Sequence, residues 1–298
     1  MRGTNILNMP NFIKLYDGSK FLGECNLPNR IDISNGSYFI LGKVRKGGGN
    51  GVVLEARHYE NHSLKRTCAL KFLRRLDAPR MDRFKNEVRI INELAHDNVA
   101  TYYGQGTLRL DRFDVPWVAQ ELGGRNLREQ IDSNGVLKPS LLIPVALQMC
   151  SAVEHLHEKG FIHRDLKPDN FVWVEGSKTD VLMIDLGIAK RIDEDVSGRP
   201  MDMLTRTLEF VGPQFFSSPE MIAYATNKNI VVDKRSDVFQ LGKTLWFLGT
   251  GQISAGVPSR ARCPIGGKFW ELIVATVDDD PDCRPQSVTK LSTQLAAL

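Results

Sequence analysis

Apolar and polar residues alternate along most of the chain between residues 37 and 121. Tyr38–Val44, Val52–Ala56 and Thr67–Leu73 have the two-residue period of half-buried strands, and a glycine-rich turn separates the first two. A helix is predicted over 82–95, where apolar residues recur at spacings of four, three and four. These residues are Phe84, Val88, Ile91 and Ala95. The pattern therefore predicts a small β-rich lobe with one main helix.

After Gly123-Gly124 the pattern becomes mainly helical. Leu141–Lys159 predicts a long helix, with Pro144 in its first turn or at its start because proline disrupts a helix interior. Two short strands and another apolar helix face are predicted at Phe171–Val174, Val181–Ile184 and Leu241–Leu248. The chain is thus expected to form a larger α-rich lobe after the small one, and a cleft between two lobes is a common ligand site.

Residues 1–35 precede this pattern and are predicted to be an N-terminal extension. Within it, Asn11–Tyr16 and Ser19–Glu24 flank Asp17-Gly18, a dipeptide that favours a tight turn between antiparallel strands. We therefore expect a β-hairpin there. It could dock on the small lobe, mediate dimers or form a loose arm, and the sequence leaves these three open, together with the oligomeric state.

The composition is that of an ordinary globular protein, with 42% hydrophobic and 25% charged residues among 298. It excludes disordered, collagen-like and disulfide-stapled classes. The net charge of +4 does not indicate a nucleic-acid partner, and the basic stretch 65–89 is better explained as a solvated helix face. The longest apolar run, Leu141–Leu147, is too short to span a membrane, and no secretory signal is predicted. Five scattered cysteines favour a reducing, cytoplasmic location without a zinc site.

Two features of the predicted small lobe could bind phosphate. Lys46–Val53 contains four glycines between strands, where backbone N–H groups could approach phosphate oxygens, although such turns are common without this role. Lys71 lies in an apolar strand and Glu87 on the apolar face of the predicted helix, so each needs a partner. We expect the two to pair, with Lys71 directed at phosphate. Two surface side chains with solvated ends are the alternative.

A third cluster carries the chemistry of phosphoryl transfer. It runs His163-Arg164-Asp165-Leu166-Lys167-Pro168-Asp169-Asn170, and Asp185-Leu186-Gly187 follows fifteen residues after Asn170. Phosphoryl transfer needs a carboxylate for the attacking hydroxyl, oxygen ligands for Mg²⁺ and a cation near the transferred group. Asp165, Asn170 with Asp185, and Lys167 supply these groups in turn.

These motifs, in this order, resemble those of the eukaryotic-like serine/threonine protein kinase family. The resemblance extends from about Tyr38 to the C-terminus. It also includes Ala69-Leu70-Lys71, Ser218-Pro219-Glu220, Ser236–Gly242 and Arg284-Pro285. The resemblance implies that Arg284 pairs with Glu220. It implies an α+β, two-lobed protein kinase fold, with a small antiparallel β-sheet lobe, a larger mostly α-helical lobe and an ATP cleft between them. The kinase domain would cover 36–298, with the small lobe at about 36–121, the hinge at 121–125 and the large lobe at 126–298.

The resemblance also implies roles for individual residues. Asp165 would orient the substrate hydroxyl, and Lys167 would lie at the transferred phosphoryl group. Asn170 and Asp185 would bind Mg²⁺, with Mn²⁺ as the alternative ion.

The same resemblance implies an ATP site. Lys71, oriented by Glu87, would hold the α- and β-phosphates. Gly48 and Gly51 would cover the phosphates, while Gln120 would lie at the back of the adenine pocket. The other predicted adenine contacts are Val53, Ala69, Glu121, Gly123 and Val172.

Several positions depart from the family pattern. Lys46 replaces the first glycine of the loop, and Leu186 replaces a phenylalanine. Pro213 stands where many serine/threonine kinases carry a threonine near the substrate hydroxyl, so no peptide preference follows from the sequence. The short stretch Gly249–Gly267 leaves little room for the usual substrate-docking helix, and we expect that helix to be reduced.

The sequence thus predicts Mg-ATP-dependent transfer of the γ-phosphoryl group to Ser/Thr hydroxyls of protein substrates. Autophosphorylation is expected between Asp185 and Glu220, with Thr205 and Thr207 as first candidates ahead of Ser197, Ser217 and Ser218. A pseudokinase scaffold of the same fold is one alternative, and a small-molecule phosphotransferase of related fold is the other.

Overall fold

A computed structural model of the protein describes residues 12–33, 36–48, 51–186, 189–191, 213–227 and 229–298. Within these ranges the chain separates into two units by its internal contacts. The first holds the residues up to Val88 and Tyr102–Leu122, and the second holds Arg89–Thr101 and the residues from Gly123 onward. The predicted small lobe is therefore interrupted, because 89–101 belongs with the second unit.

The first unit is built mainly of antiparallel strands. They are β1 (Phe12–Asp17), β2 (Lys20–Asn26), β3 (Arg30–Asp32), β4 (Ser37–Gly48), β5 (Gly51–Glu60), β6 (Ser63–Leu73), β7 (Tyr102–Leu110) and β8 (Phe113–Glu121). Six of them form one sheet in the order β3-β4-β5-β6-β8-β7, and β1 pairs with β2 as a separate hairpin. The expected hairpin around Asp17-Gly18 is thus present.

Each face of the six-stranded sheet carries an apolar cluster, because successive side chains of a strand point to opposite faces. On one face Leu70 and Phe72 of β6 pack in a cluster that includes Ile13 and Leu15 of the hairpin. On the other face Leu73 packs with residues of helix α1 (Ala78–Glu93). The hairpin and α1 therefore cover opposite faces of the same sheet.

The second unit is mainly helical. Its elements are β9 (Gly123–Asn126), α2 (Leu127–Asn134), α3 (Pro139–Glu158), β10 (Phe161–Ile162), β11 (Phe171–Val174), β12 (Val181–Met183), β13 (Lys190–Arg191), α4 (Pro219–Thr226), α5 (Lys234–Thr250), α6 (Gly267–Thr276) and α7 (Val288–Ala296). Helix α5 is its centre, since every residue from Ser236 to Gly249 is buried. The predicted α+β architecture, a sheet-rich unit with one main helix and a helical unit, is confirmed.

Two helix predictions need correction. Helix α3 begins at Pro139, because proline is favourable in the first turn of a helix. Pro144 therefore lies in the second turn, not in the first. The backbone bond that Pro144 cannot make is offset by the burial of eight α3 side chains. Helix α1 begins earlier than predicted, because the carbonyl of Asp77 accepts the first helical N–H groups and Pro79 fits the first turn.

The stretch 251–266 contains no α-helix, only a 3₁₀ turn at Arg260–Arg262. The indole Nε1 of Trp270 donates to Pro258 O at 2.7 Å, and the ammonium of buried Lys243 donates to Ser254 O. These bonds fix the loop. The expectation that the usual helix of this stretch is reduced is confirmed, because 251–266 forms no α-helix.

Over the described ranges, no helix is both long and apolar enough to cross a bilayer. All five cysteines are unpaired.

Candidate active site

Lys71 and Glu87 form the expected ion pair within the first unit. Lys71 Nζ lies 2.6 Å from Glu87 Oε1, and the two side chains are 18% and 6% exposed. The pair forms because Lys71 alternates onto the sheet face that α1 covers, and Glu87 lies between Phe84 and Val88, which pack on that face. The alternative, two surface side chains with solvated ends, is therefore wrong.

Three predicted adenine residues of the first unit, Val53, Ala69 and Gln120, share this sheet face with Lys71. Val53 lies opposite Lys71 in the β5–β6 register, and Ala69 lies opposite Gln120 in the β6–β8 register. Gly51 brings β5 close to the lysine strand, since a Cβ at this position would lie 3.0 Å from Phe72 O. Their nucleotide contacts stay predictions. Glu121 ends β8 opposite Cys68, and Gly48 lies opposite Gly51 at the end of the β4–β5 pair.

In the second unit, three predicted residues meet in the segment between β10 and β11. Lys167 Nζ donates to Asp165 Oδ2 at 2.6 Å. Asn170 Nδ2 donates to the backbone oxygen of Asp165 at 2.7 Å, which fixes the orientation of the amide. Asn170 lies in the 3₁₀ turn Pro168–Asn170, closed by its own N–H donating to Lys167 O. A carboxylate, an ammonium group and an amide oxygen are thus held together on one short loop.

Asp237 of α5 holds this loop from inside the unit. Its buried carboxylate accepts the backbone N–H groups of His163 and Arg164 at 2.8 Å each. His157 Nε2 lies 2.8 Å from the same carboxylate. Burial alone would raise the pKa of Asp237, but the hydrogen bond and charge of His157 lower it overall. Asp237 therefore supplies a fixed negative charge to which the loop backbone is bonded.

Two supporting residues were missed by the sequence reasoning. Gln240 accepts the N–H of Leu166 at 2.8 Å and donates to Arg164 O at 3.0 Å. It lies three residues after Asp237, so the two side chains share one face of α5. The signal was a polar residue within an apolar helix. His157 had the same signal near the end of α3.

Burial and neighbouring charges adjust the proton affinities of the Asp165–Lys167 pair. Burial raises the pKa of Asp165, the charge of Asp185 adds to the rise, and the Lys167 ammonium opposes it. Burial lowers the pKa of Lys167, but the Asp165 carboxylate raises it by more, so the net shift is upward. Lys167 therefore stays protonated at neutral pH and keeps a positive charge beside Asp165.

Asp185 follows β12 in a left-handed backbone conformation, with φ of 64°. Ile184 N–H donates to Asn170 O at 2.8 Å, so the β11–β12 pairing brings Asn170 and Asp185 to neighbouring positions. One amide oxygen and one carboxylate suit Mg²⁺, which protein sites bind through few side chains and complete with phosphate and water oxygens. Over the described ranges no cluster of three or more His, Cys, Asp or Glu could hold a metal alone. The donor set therefore fits a magnesium ion carried with a nucleotide.

Gly123 meets Val172 where β9 pairs with β11. A Cβ on Gly123 would lie only 2.2 Å from Val172 Cγ2 and 2.9 Å from its Cβ, and the branched valine has little freedom to move. Glycine is therefore required at this approach of the two strands.

We expect Gly123→Ala to destabilise the protein by about 1–3 kcal/mol, because overpacking forces strain onto its neighbours. Adding Val172→Ala should recover part of this loss. Denaturant unfolding measures both. Gly256→Ala is the control, since a Cβ there meets nothing within 4 Å. Equal stability of the Gly123 and Gly256 variants would contradict the steric explanation.

Gln120 is buried, and its Oε1 has no hydrogen-bond partner among the described residues. We expect Gln120→Met, a change of similar volume, to stabilise the protein by about 1 kcal/mol, because it removes an unsatisfied buried polar atom. Thermal unfolding measures the shift. Gln148→Met is the matched control and should destabilise, since Gln148 Oε1 accepts from Asn98 and Val181 at 3.0 Å each. Destabilisation of the same size in both variants would contradict the prediction.

The segment after Asp185 is described only in part. Gly187, Ser197, Thr205 and Thr207 lie outside the described residues. Of the other candidate phosphorylation sites, Ser218 is fully buried at the start of α4. Its neighbour Glu220 accepts two bonds from Arg284, at 2.7 and 2.9 Å, which is the pair that the motif resemblance implied.

Known proteins resemble this chain in sequence. The family model described as "Protein kinase domain" matches residues 42–259. The chain is 30% identical to serine/threonine-protein kinase PknB of Mycobacterium leprae over 216 residues, which is 71% of this chain and 32% of that protein. It is 30% identical to PrkC of Bacillus subtilis over 223 residues, which is 74% of this chain and 31% of that protein. The chain thus spans about a third of the length of these curated relatives.

A solved structure shares the fold. The crystal structure of Rad53 1–466 in complex with AMP-PNP superposes with a TM-score of 0.62 at 18% identity, over 86% of this chain and 64% of the other. Together with the match over 42–259, this defines the class: the chain belongs to the protein kinase domain family. Its relatives include serine/threonine-protein kinases of bacteria and of the eukaryote Caenorhabditis elegans.

Proposed function

We propose that the protein is a serine/threonine protein kinase, which transfers the γ-phosphoryl group of ATP to Ser or Thr hydroxyls of protein substrates. The observation that carries the proposal is the Asp165–Lys167–Asn170 arrangement, held by Asp237 within a family of known phosphotransferases. Lys167 two residues after the acidic residue is the serine/threonine pattern of that family.

Each group has a role in the proposed reaction. The Asp165 carboxylate accepts a hydrogen bond from the substrate hydroxyl and takes its proton as the new O–P bond forms and the bond to ADP breaks. The Lys167 ammonium stabilises the negative charge on the transferred phosphoryl group. Lys71, held by Glu87, binds the α- and β-phosphates. The adenine contacts are those predicted from the sequence.

Asn170 and Asp185 would hold the divalent ion, Mg²⁺ or Mn²⁺. The ion would neutralise phosphate charge and fix the phosphate geometry. Regulation by autophosphorylation at Thr205 or Thr207 is part of the proposal. So is a cytoplasmic location, which the five unpaired cysteines support.

The test is transfer of labelled phosphate from ATP with Mg²⁺ to the protein itself and to a generic basic protein. Asp165→Asn should lower transfer at least about a hundredfold, because general-base groups contribute that much or more. Asp180→Asn is the matched control, since Asp180 lies in the exposed turn between β11 and β12. There its carboxylate accepts the Ser177 hydroxyl and its backbone oxygen accepts the N–H of Val174, both at 2.8 Å. Mass spectrometry of the labelled protein tests Thr205 and Thr207.

Transfer by the parent and by Asp180→Asn, but not by Asp165→Asn, supports the proposal. Binding of ATP without transfer by any variant would instead favour the pseudokinase scaffold. Labelling of small alcohols or amines but not of protein would favour the small-molecule phosphotransferase.

A further inference from the structure

Hairpin β1–β2 precedes the stretch that matches the family, and the proposed reaction gives it no role. It is nevertheless bonded to the segment that joins β6 to α1. Tyr16 N–H donates to Arg74 O at 2.9 Å, and Leu76 N–H donates to Tyr16 O at 2.8 Å, as a short parallel bridge. Arg74 Nε also donates to Lys14 O at 3.1 Å. Strand β1 therefore follows the chain up to the start of the helix that carries Glu87.

The hairpin turn reaches the helix itself. Gly18 has a φ of 59°, a conformation in which glycine carries no steric cost, and its N–H donates to Asp77 Oδ2 at 3.1 Å. Asp77 immediately precedes α1, and its carbonyl accepts the N–H groups of Arg80 and Met81. Its carboxylate oxygens also accept two bonds from Arg80 Nη1, at 3.0 Å each. One carboxylate thus joins the hairpin turn to the first turn of α1.

This joint, formed by Gly18, Asp77 and Arg80, is charged and shielded from water. The side chains of Asp77 and Arg80 are 10% and 9% exposed. Burial alone would raise the pKa of Asp77, but the Arg80 charge and the hydrogen bonds lower it overall, so the group is ionised at neutral pH. A carboxylate at a helix N-terminus is also stabilised by the helix dipole. Hydrogen bonds to such a charge are stronger than neutral ones.

The hairpin is held in place by apolar packing, so the joint connects α1 to a fixed part of the first unit. Ile13 and Leu15 are fully buried in the apolar cluster on the opposite face of the sheet from α1. Glu87 lies on the same helix as the joint, roughly 14 Å along its axis from Ala78 at 1.5 Å per residue. Because a helix moves as a stiff rod, the position of its first turn affects how Glu87 meets Lys71.

We propose that Asp77 is a positioning residue, which ties α1 to the hairpin and so keeps Glu87 within ion-pairing distance of Lys71. The inference rests on the proposed function, because the ion pair affects ATP only if Lys71 binds its phosphates. It assigns the hairpin a part in the ATP affinity of the protein.

The main test is a double-mutant cycle on the dissociation constant of Mg-ATP. Asp77→Ala should raise this constant about threefold to tenfold in the parent and less than about twofold when Glu87→Gln is already present, since residues that act through one another are not additive. An equal factor in both backgrounds would overturn the proposal. Asp114→Ala is the matched control in the first unit. Asp114 forms an exposed ion pair with Arg109 in the β7–β8 hairpin, and its loss should leave ATP binding unchanged.

A second measurement does not depend on ATP. Amide hydrogen exchange in Asp77→Asn, and in Arg74→Met if the first variant does not fold, should become faster along α1 as far as Glu87, while β7 and β8 stay as in the parent. Faster exchange confined to residues 78–81, or no change, would overturn the proposal. If the parent itself does not bind ATP, the proposed function fails, and the exchange result still decides whether the hairpin holds α1.

Discussion

Asp237→Ala is expected to lower phosphoryl transfer at least about a hundredfold, because displacing reacting groups by even an ångström can cost that much. Asp237 touches no reacting atom in the proposed mechanism. Its carboxylate accepts the N–H groups of His163 and Arg164, the two residues before Asp165, and pairs with His157. Without it, buried donors lose their acceptor and the loop loses its anchor.

The same substitution should cost about 3–5 kcal/mol of folding stability, since it breaks a buried charged network. Calorimetry and the labelled-phosphate assay measure the two effects on one preparation. Asp233→Ala is the matched control on the same helix. It removes the α5 N-cap, worth about 1 kcal/mol, and leaves the loop bonds in place. If Asp237→Ala does not fold, Asp237→Asn retains one acceptor oxygen for the loop. Activity equal to that of Asp233→Ala in either variant would refute the anchoring role.

The second large effect is expected at Glu220. Its carboxylate pairs with Arg284 and accepts the Ser236 hydroxyl at 2.5 Å. The Arg284 side chain is completely buried, so Glu220→Ala would leave an uncompensated cation and should destabilise the protein by about 3–5 kcal/mol. The double variant Glu220→Met with Arg284→Met should cost less than Glu220→Ala alone, because it removes both charges. A larger cost for the double variant would contradict this account.

The pair also predicts a pH dependence. Burial alone would raise the pKa of Glu220, but its hydrogen bonds with Arg284 and Ser236 lower it below the ordinary 4.5. The folded state thus binds the proton less tightly than the unfolded chain does. The resulting stability is fully present above about pH 4.5 and is lost as the pH falls through the lowered value. In Glu220→Gln this component should be absent, so its unfolding free energy should fall less steeply on acidification.

The sequence was sufficient to predict contacts of charged residues that lie at apolar positions. Lys71 in an apolar strand and Glu87 on an apolar helix face each required a partner, and the structure pairs them at 2.6 Å. The chemistry of the Asp165 loop could also be predicted, because its residues supply, in one short motif, the groups that phosphoryl transfer needs. Arg284 with Glu220 followed from resemblance alone, because nothing local relates positions so far apart in sequence.

The contacts that escaped prediction depend on packing between distant segments. The bonds of Gln240 and His157 to the loop require the placement of α5 and α3, which periodicity does not give. The place of Pro144 depended on where α3 starts, and Pro139 decided that. For the hairpin the sequence predicted the turn but left its position open. The buried side chains of Ile13 and Leu15 settle that it packs on the sheet.

That packing has a consequence for how the protein folds during its synthesis. Ile13 and Leu15 leave the ribosome before Val115 and Trp117, which belong to the same cluster and lie about a hundred residues further along. At translation rates of roughly 5–20 residues per second, the hairpin waits on the order of 5–20 s for those partners. During this time its apolar side chains have no completed core. The nascent chain therefore depends on late, long-range contacts. Such contacts form slowly, and the delay exposes the chain to aggregation.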